Sequence, residues 1–296
     1  MRSLRTLIIF CLLGITATVS LAAEPAVLLY SARADGRIEN CRCPSDPYGA
    51  LEKRLPEIER MRELGPLALV DAGNFFPETR DSLGATFMLQ AYKLHGYDAV
   101  TVGYQELGYG AEWMKQIEEA LPIVSANLSY RDGSPVGERV RVIQRGGYTW
   151  AITGITTRES LRLLGPSVYE EFSLADAQES LDAAFADVPD DARKIVLAQA
   201  SMEEIRDHED WWQGYQLVIG GLNSDLIQSA ELLGHTPFVQ CGAKSRYLGV
   251  VQFKGTRIKA DLKPIQTHLP DDPRVAEIAL KLRMERARNR PEIRDY

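Results

Sequence analysis

Cysteine is scarce in this 296-residue sequence, with four in all, and histidine is equally rare. Cys11 lies in an N-terminal stretch set aside below, which leaves Cys41, Cys43 and Cys241. An odd number excludes full pairing within one chain: one thiol stays free, the three share a metal, or one pairs with another molecule. Clusters of Lys and Arg of the kind that hold nucleic acid or an anionic membrane are missing too. There are no internal repeats and no low-complexity segment.

Long apolar runs are absent save one. Met1 to Arg5 is basic, Thr6 to Val19 almost wholly apolar, and Ser20-Leu21-Ala22-Ala23 small. That order reads as a secretory signal over residues 1–23, too short to be a membrane span with its own flanks. Cys11 lacks the preceding small residues of a lipoprotein signal. The expectation is an exported, periplasmic protein starting near Glu24, with no transmembrane segment in the mature chain. Without Arg2 and Arg5 the basic count falls from 34 to 32 against 41 acids, a net of about −9. Roughly 270 residues can bury one large α/β core.

Short apolar runs alternate with amphipathic stretches. Strands are expected at Val27–Ser31, Leu67–Asp71, Ala99–Val102, Ile123–Ser125, Val140–Gln144, Trp150–Gly154, Ile195–Ala198, Leu217–Ile219, Phe238–Cys241, Leu248–Phe253 and Arg257–Leu262. Helical spacing marks Ala50–Leu64, Leu83–His95, Ala111–Ala120, Leu174–Ala186, Ser201–Trp212 and Pro273–Arg288. The alternation implies βαβ units and a mostly parallel sheet, with a mixed or second sheet toward the end. Most strands run into Gly-, Asn- or Asp-bearing turns, so one sheet edge gathers the loops and any site.

Those turns read "RADG", "DAGNFFP", "VGYQELGYG", "SANL", "GITT", "AQAS", "IGGLNSD" and "VQCGAKSRYLG". From about Val27 to Phe253 their order resembles the catalytic domain of 5′-nucleotidases, in the calcineurin-like metallophosphoesterase superfamily. That family carries "Asp-x-His-Gly", "Gly-Asp-x-x-x-Gly", "Gly-Asn-His-Glu-Phe-Asp", "Ala-Asn-Leu", "Gly-(Val/Leu)-Thr-Thr", "Ser-His", "Gly-Gly-His-(Ser/Thr)-His" and a closing "Gln-(Ala/Pro)-Gly…Tyr-Leu-Gly". The resemblance implies a metallo-dependent phosphatase-like α/β/β/α sandwich of four layers with two mixed sheets. It spans residues 24–265, and residues 266–296 follow as a linker-like helical tail in place of the family's substrate-gripping domain.

The family's chemistry needs two divalent metals on Asp, His and Asn ligands. Here the first-loop Asp falls on Arg33 and its His on Asp35. The bridging Asp falls on Asn74, the Asn ligand on Tyr104, and the catalytic His on Gln105. Later His ligands fall on Ala200, Leu222 and Ser224, and only Glu106 keeps its identity. The resemblance therefore implies a degenerate edge of Arg33, Asp35, Asp71, Asn74, Tyr104, Gln105, Glu106, Asn127 and Asn223, and no hydrolysis by the family mechanism.

The first loop, "GRIENCRCPSDPYGALEKR", also resembles secreted nucleotidase-like proteins with "Gly-Tyr-(Ile/Leu)-Glu-Pro-Cys-Gly-Cys" and "Gly-Gly-Leu-x-x-Arg", matching at Gly36, Glu39, Cys41, Cys43, Gly49, Leu51 and Arg54. Relatives of that kind accompany multihaem cytochromes, which implies a periplasmic redox protein or multihaem cytochrome as partner. A disulfide between positions i and i+2 is strained and easily reduced, whereas two thiolates can converge on one Cu or Zn ion. Arg33, Arg37 and Arg42 would favour thiolates. Cys241 is a third ligand, a resolving thiol or a small core residue. A static staple is the plain alternative for Cys41 and Cys43.

His95 is expected as a cap or surface group, His208 as solvated, and His235 as a weak mixed-site candidate. Trp211-Trp212 reads as packing, and Lys281–Arg290 as a solvated face. Asp71, Asn74, Glu106, Asn127 and Asp225 could together hold a small polar ligand or a metal. Two functions follow. One is a non-hydrolytic relative whose Cys41-x-Cys43 loop handles electrons or a soft metal. The other is a phosphoester hydrolase with an atypical single-metal site on Asp35, Asp71 and Glu106. A pure binding module is the third.

Overall fold

Leu67-Ala-Leu-Val70 is apolar at successive positions, which suits a strand covered on both sides, and with Asp71 it forms one buried throughout. It is the second strand of a computed structural model that describes residues 25–40, 46–255 and 257–289. The expected signal segment, Cys41 and Cys43 lie outside the described residues.

In chain order come β1 (Ala26–Ser31), α1 (Leu51–Leu64), β2 (Leu67–Asp71), α2 (Ser82–His95), β3 (Ala99–Val100), α3 (Tyr104–Leu107) and α4 (Ala111–Ala120). Then follow β4 (Leu128–Tyr130), β5 (Arg141–Arg145), β6 (Tyr148–Thr156), α5 (Val168–Glu171), β7 (Phe172–Leu174), α6 (Ala177–Phe185) and β8 (Arg193–Gln199). The rest are α7 (Met202–Asp207), β9 (Leu217–Gly220), β10 (Leu226–Leu233), β11 (Thr236–Cys241), β12 (Tyr247–Lys254), β13 (Arg257–Pro264) and α8 (Pro273–Arg288).

One sheet runs β13-β12-β1-β2-β3, the other β10-β11-β9-β8-β6-β5, and β4 pairs with β7 alone. Both large sheets are mixed: β1 is parallel to β2 and antiparallel to β12, and β8 is parallel to β6 and β9 while β5 is antiparallel to β6. Three cores make the four layers. Leu28, Tyr30, Val70, Trp150, Ile195 and Val239 fill the space between the sheets. Leu55, Ile58, Met88, Tyr92 and Met114 seal the first sheet under α1, α2 and α4. Leu181, Phe185, Ile205 and Trp212 seal the second under α6 and α7.

The expected elements are found within a few residues, with two exceptions. Ile123–Ser125 makes only isolated bridges. The helix expected over Ser201–Trp212 stops at Asp207, where His208 leaves helical backbone (ψ 45°) and a 3₁₀ turn carries Trp212 into the core. Strand β10 escapes the reading because it is a polar edge strand with little apolar alternation to betray it, and α3, β4, α5 and β7 escape it because each is only three or four residues long.

The tail expected to be linker-like is packed. Asp272 caps α8 by accepting from the Arg274 and Val275 amides at 2.9 and 3.2 Å, and Pro273 opens the helix. Val275, Ala279 and Leu282 recur at helical spacing and join the core under α1 and α2. Arg283 pairs with Glu39 and Arg286 with Asp81. Leu282→Ala is expected to cost about 2–3 kcal/mol in urea unfolding. A loss under about 0.5 kcal/mol would mean that the helix is merely laid on the surface. No helix among the described residues is long and apolar enough to cross a membrane.

Candidate functional site

The loops after β1, β2, β3, β8, β9 and β11 meet at one edge, as the turn pattern predicts. Five non-glycine residues have left-handed backbone among those described: Arg33, Asp35, Asn74, Lys244 and Ser245, with φ between 46° and 61°. All five lie on the loops of this edge. Side chains resist that conformation, and it persists only where the surroundings enforce it, which marks the edge as the built part of the molecule.

Glu106 organises it from the first turn of α3. Its Oε1 accepts the Phe75 and Phe76 amides at 2.8 and 2.9 Å, and its Oε2 those of Asn74 and Gly103 at 3.0 and 2.9 Å. The carboxyl is fully buried, and burial pushes its pKa up to about 7 against the pull of those four donors. Glu106 therefore ties the loop after β2 to the loop after β3.

Asn74, held by that clasp, sends Nδ2 to Gln199 Oε1 at 2.8 Å and to the Gly221 carbonyl at 3.1 Å. Gln199 in turn donates to the Ala72 carbonyl. Arg33 Nη1 donates to the Leu222 carbonyl at 2.5 Å, and its Nη2 lies 3.3 Å from Asp35 and 3.1 Å from Glu78. Gln105 Nε2 donates to Asp35 Oδ1 at 2.8 Å and reaches the Tyr104 hydroxyl at 3.5 Å. Burial raises the Asp35 pKa, with Arg33 and the Gln105 bond pulling it back.

The remaining expected residues divide. Asn223 lies at this edge, donating to the Ala200 carbonyl at 3.2 Å, and Ser224 lines the cleft described below. Asn127 belongs elsewhere: its side chain clamps Thr156 and the Ala175 carbonyl beside a separate depression. Asp225 contributes its carbonyl to Gln240 at 2.8 Å. Asp71 points beneath the edge, accepting from Ser31 Oγ at 2.5 Å, Tyr92 at 3.1 Å and the Gly73 amide at 2.9 Å. Arg54 lies fully buried beside it and donates to Tyr97 at 2.7 Å. Cys241 ends β11 inside the inter-sheet core, 2% exposed, where burial first and Asp71 second push its thiol up to about 12. A thiolate is disfavoured in that position.

His95 is not the cap or surface group expected. It is fully buried at the end of α2, its Nδ1 2.9 Å from the Ala91 carbonyl and its ring stacked 5.8 Å from Tyr97. Burial, with Arg54 nearby, holds its pKa well below the ordinary value and keeps the ring neutral.

Between the loops after β1 and β11 opens a cleft of about 390 Å³, lined among others by Arg33, Glu78, Lys244, Arg246 and the stacked pair Tyr48 and Tyr247. Sequence reasoning passed over Gln199, Glu78, Lys244 and Arg246. Gln199, Lys244 and Arg246 stand inside recognised motifs, "AQAS" and "VQCGAKSRYLG", and that was the only available signal.

A pair of divalent metals does not fit these residues. Of the positions that resemble ligand or catalytic positions, Arg33, Asn74 and Gln105 present N–H groups, each already bonded to an oxygen of the chain, and the carboxylate of Asp35 is engaged by Arg33 and Gln105. Among the described residues no three of His, Cys, Asp and Glu are grouped to hold a metal, so Asp35, Asp71 and Glu106 do not form a donor set.

No protein-family profile matches the sequence, and no curated protein matches it. Solved structures do. A sulfate thiohydrolase, SoxB, from Thermus thermophilus, in complex with glycerol, superimposes with a TM-score of 0.73 at 17% identity, over 89% of this chain and 61% of that one. A 5′-nucleotidase precursor from Thermus thermophilus gives 0.75 at 18%, over 89% and 59%. The calcineurin-like phosphoesterase YfkN of Bacillus subtilis gives 0.70 at 17%, over 88% and 97%. The chain spans about three fifths of the first two. At such identity the likeness establishes the fold, the metallo-dependent phosphatase-like sandwich with two mixed sheets.

Proposed function

We propose that this protein is a secreted, non-hydrolytic relative of 5′-nucleotidases and calcineurin-like phosphoesterases, whose Cys41-x-Cys43 loop serves a redox or soft-metal role. The observation that carries the first half is Arg33. Its guanidinium lies in the first loop of the edge, bonded to the Leu222 carbonyl and beside Asp35, where the resemblance calls for metal ligands. A fixed cation there repels a metal cation and offsets the charge of Asp35, which a metal would need to activate water.

The cysteine half rests on the sequence and on the anchoring of the chain on either side. Asn40 Nδ2 donates to the Tyr48 and Gly49 carbonyls at 2.6 and 3.0 Å, and Asp46 pairs with Arg246 at 2.8 Å. Two cysteines one residue apart, between these anchored neighbours, are suited to one Cu or Zn ion or to an easily reduced bridge. An electron-transfer protein of the periplasm, such as a multihaem cytochrome, is the partner this reading favours. Cys241, buried as a thiol, is not required by it.

The test is elemental analysis of residues 24–296 purified anaerobically from the periplasm, alongside turnover of a generic phosphate ester with Mn or Zn. One equivalent of copper or zinc, lost on Cys41→Ser/Cys43→Ser, supports the reading, as does a metal-free protein with a reversible dithiol. Two equivalents of metal that survive those changes, with metal-dependent turnover, would establish the hydrolase instead.

A further inference from the structure

Arg33 forms the floor of the 390 Å³ cleft and is 9% exposed. It meets two carboxylates of different standing. Asp35 is buried, its side chain 3% exposed, whereas that of Glu78 is 57% exposed and touches only Nη2, at 3.1 Å. Arg33 Nε is buried with no partner. A guanidinium offers five N–H groups in a planar fork matched to the two oxygens of a carboxylate, and Glu78 engages it at one nitrogen.

The opposite wall is the loop after β11. Lys244 lines the cleft and makes no ion pair among the described residues, and Arg246 lines it while pairing with Asp46. Tyr48 and Tyr247, stacked with ring centroids 5.6 Å apart, add a flat apolar flank.

We propose that this cleft binds a small organic carboxylate with a flat body, and that Glu78 occupies the carboxylate's seat on Arg33 until the ligand displaces it. Displacement is easy because an ion pair with one solvent-exposed partner contributes little. Once Glu78 swings out, Arg33 and Lys244 face the cleft against the single carboxylate of Asp35, Arg246 being held by Asp46, and one incoming negative charge restores the balance. A monoanion fits better than a dianion, because Asp35 lies 3.3 Å from the same guanidinium and would repel the second charge. The tyrosine pair gives the body of the acid a surface to lie on.

This goes beyond the cysteine reading and does not depend on it, since it is read by binding alone. The experiment is calorimetric titration of the mature chain with benzoate and, separately, with inorganic phosphate. Benzoate is expected to bind, and Glu78→Gln to tighten it about tenfold, as when an internal competitor holds the seat about nine-tenths of the time. Lys244→Gln should weaken it several-fold, and Arg33→Gln should abolish it. Arg33 is buried and its loss could impair folding, so the exposed Glu78 and the cleft-lining Lys244 decide the matter. Benzoate binding unchanged or weakened by Glu78→Gln, no benzoate binding to either form, or binding of phosphate in its place would each overturn the proposal. Repeating the Glu78→Gln titration in the Cys41→Ser/Cys43→Ser background should give the same tightening, which separates this inference from the fate of the cysteine reading.

Discussion

Glu106→Gln, the most conservative change available at that position, is expected to destabilise the protein by about 4 kcal/mol. Each carboxylate oxygen accepts two backbone amides, Phe75 and Phe76 on one side and Asn74 and Gly103 on the other. Glutamine keeps one oxygen and turns an NH₂ toward the other two donors. Two buried N–H groups then lose their acceptor, at about 1–3 kcal/mol each, and face a donor in its place. Urea unfolding measures the loss. A change under about 1 kcal/mol would show that the loops after β2 and β3 relax without their clasp, and that the edge is not held from Glu106.

The second large effect lies beneath the edge. Arg54→Met should cost about 3 kcal/mol, because it removes the buried bond to Tyr97 and the nearby cation that offsets the charge of the buried Asp71 carboxyl. Burial opposes the charge of Arg54, but Tyr97, Tyr92 and Asp71 outweigh it and raise its pKa. Burial likewise pushes Asp71 from the ordinary 3.8 up to about 6, with Arg54 the main opposing influence. A folded-state pKa raised above the unfolded one means that the folded protein holds the proton more tightly. The stability contributed by Asp71 is therefore fully present below about pH 4 and is lost as pH rises through 6. Without Arg54 the carboxyl shifts further up, so the Arg54→Met penalty should be larger at pH 8 than at pH 5. The double variant Arg54→Met/Asp71→Asn should be more stable than Arg54→Met alone. Equal penalties at both pH values would mean that the two groups are not coupled.

The fate of particular residues shows what a sequence can and cannot tell. Arg33, Asp35, Asn74, Tyr104, Gln105 and Glu106 were legible as neighbours, because each sits at a fixed offset from the end of a strand in one sheet. The closing of the site was not legible. Gln199 reaches the Ala72 carbonyl and Asn74 across more than a hundred residues, and its place in the "AQAS" turn does not tell which residues it meets. Asn127 ends a strand-like run as the others do, yet it serves a turn of its own. The chain before it bonds to β6 in the second sheet, Ala126 donating to the Gly154 carbonyl, and its side chain then follows β6 to Thr156. His95 and the tail mislead for one reason: a polar or charged helix end looks solvated until another helix is laid against it.

By itself the sequence determines the alternation of strands and helices, the single edge at which their loops gather, and the replacement of ligating side chains by Arg, Asn, Tyr and Gln at that edge. These follow from residue type and spacing, which local geometry converts directly into strands, turns and faces. Only the tertiary structure decided that those replacements bond to one another, that Asp71 and Cys241 turn inward, and that Lys244 and Arg246 meet Arg33 across a cleft. Such outcomes depend on which way side chains face and on contacts between distant segments, and both are settled when the two sheets and their helices close on a common core.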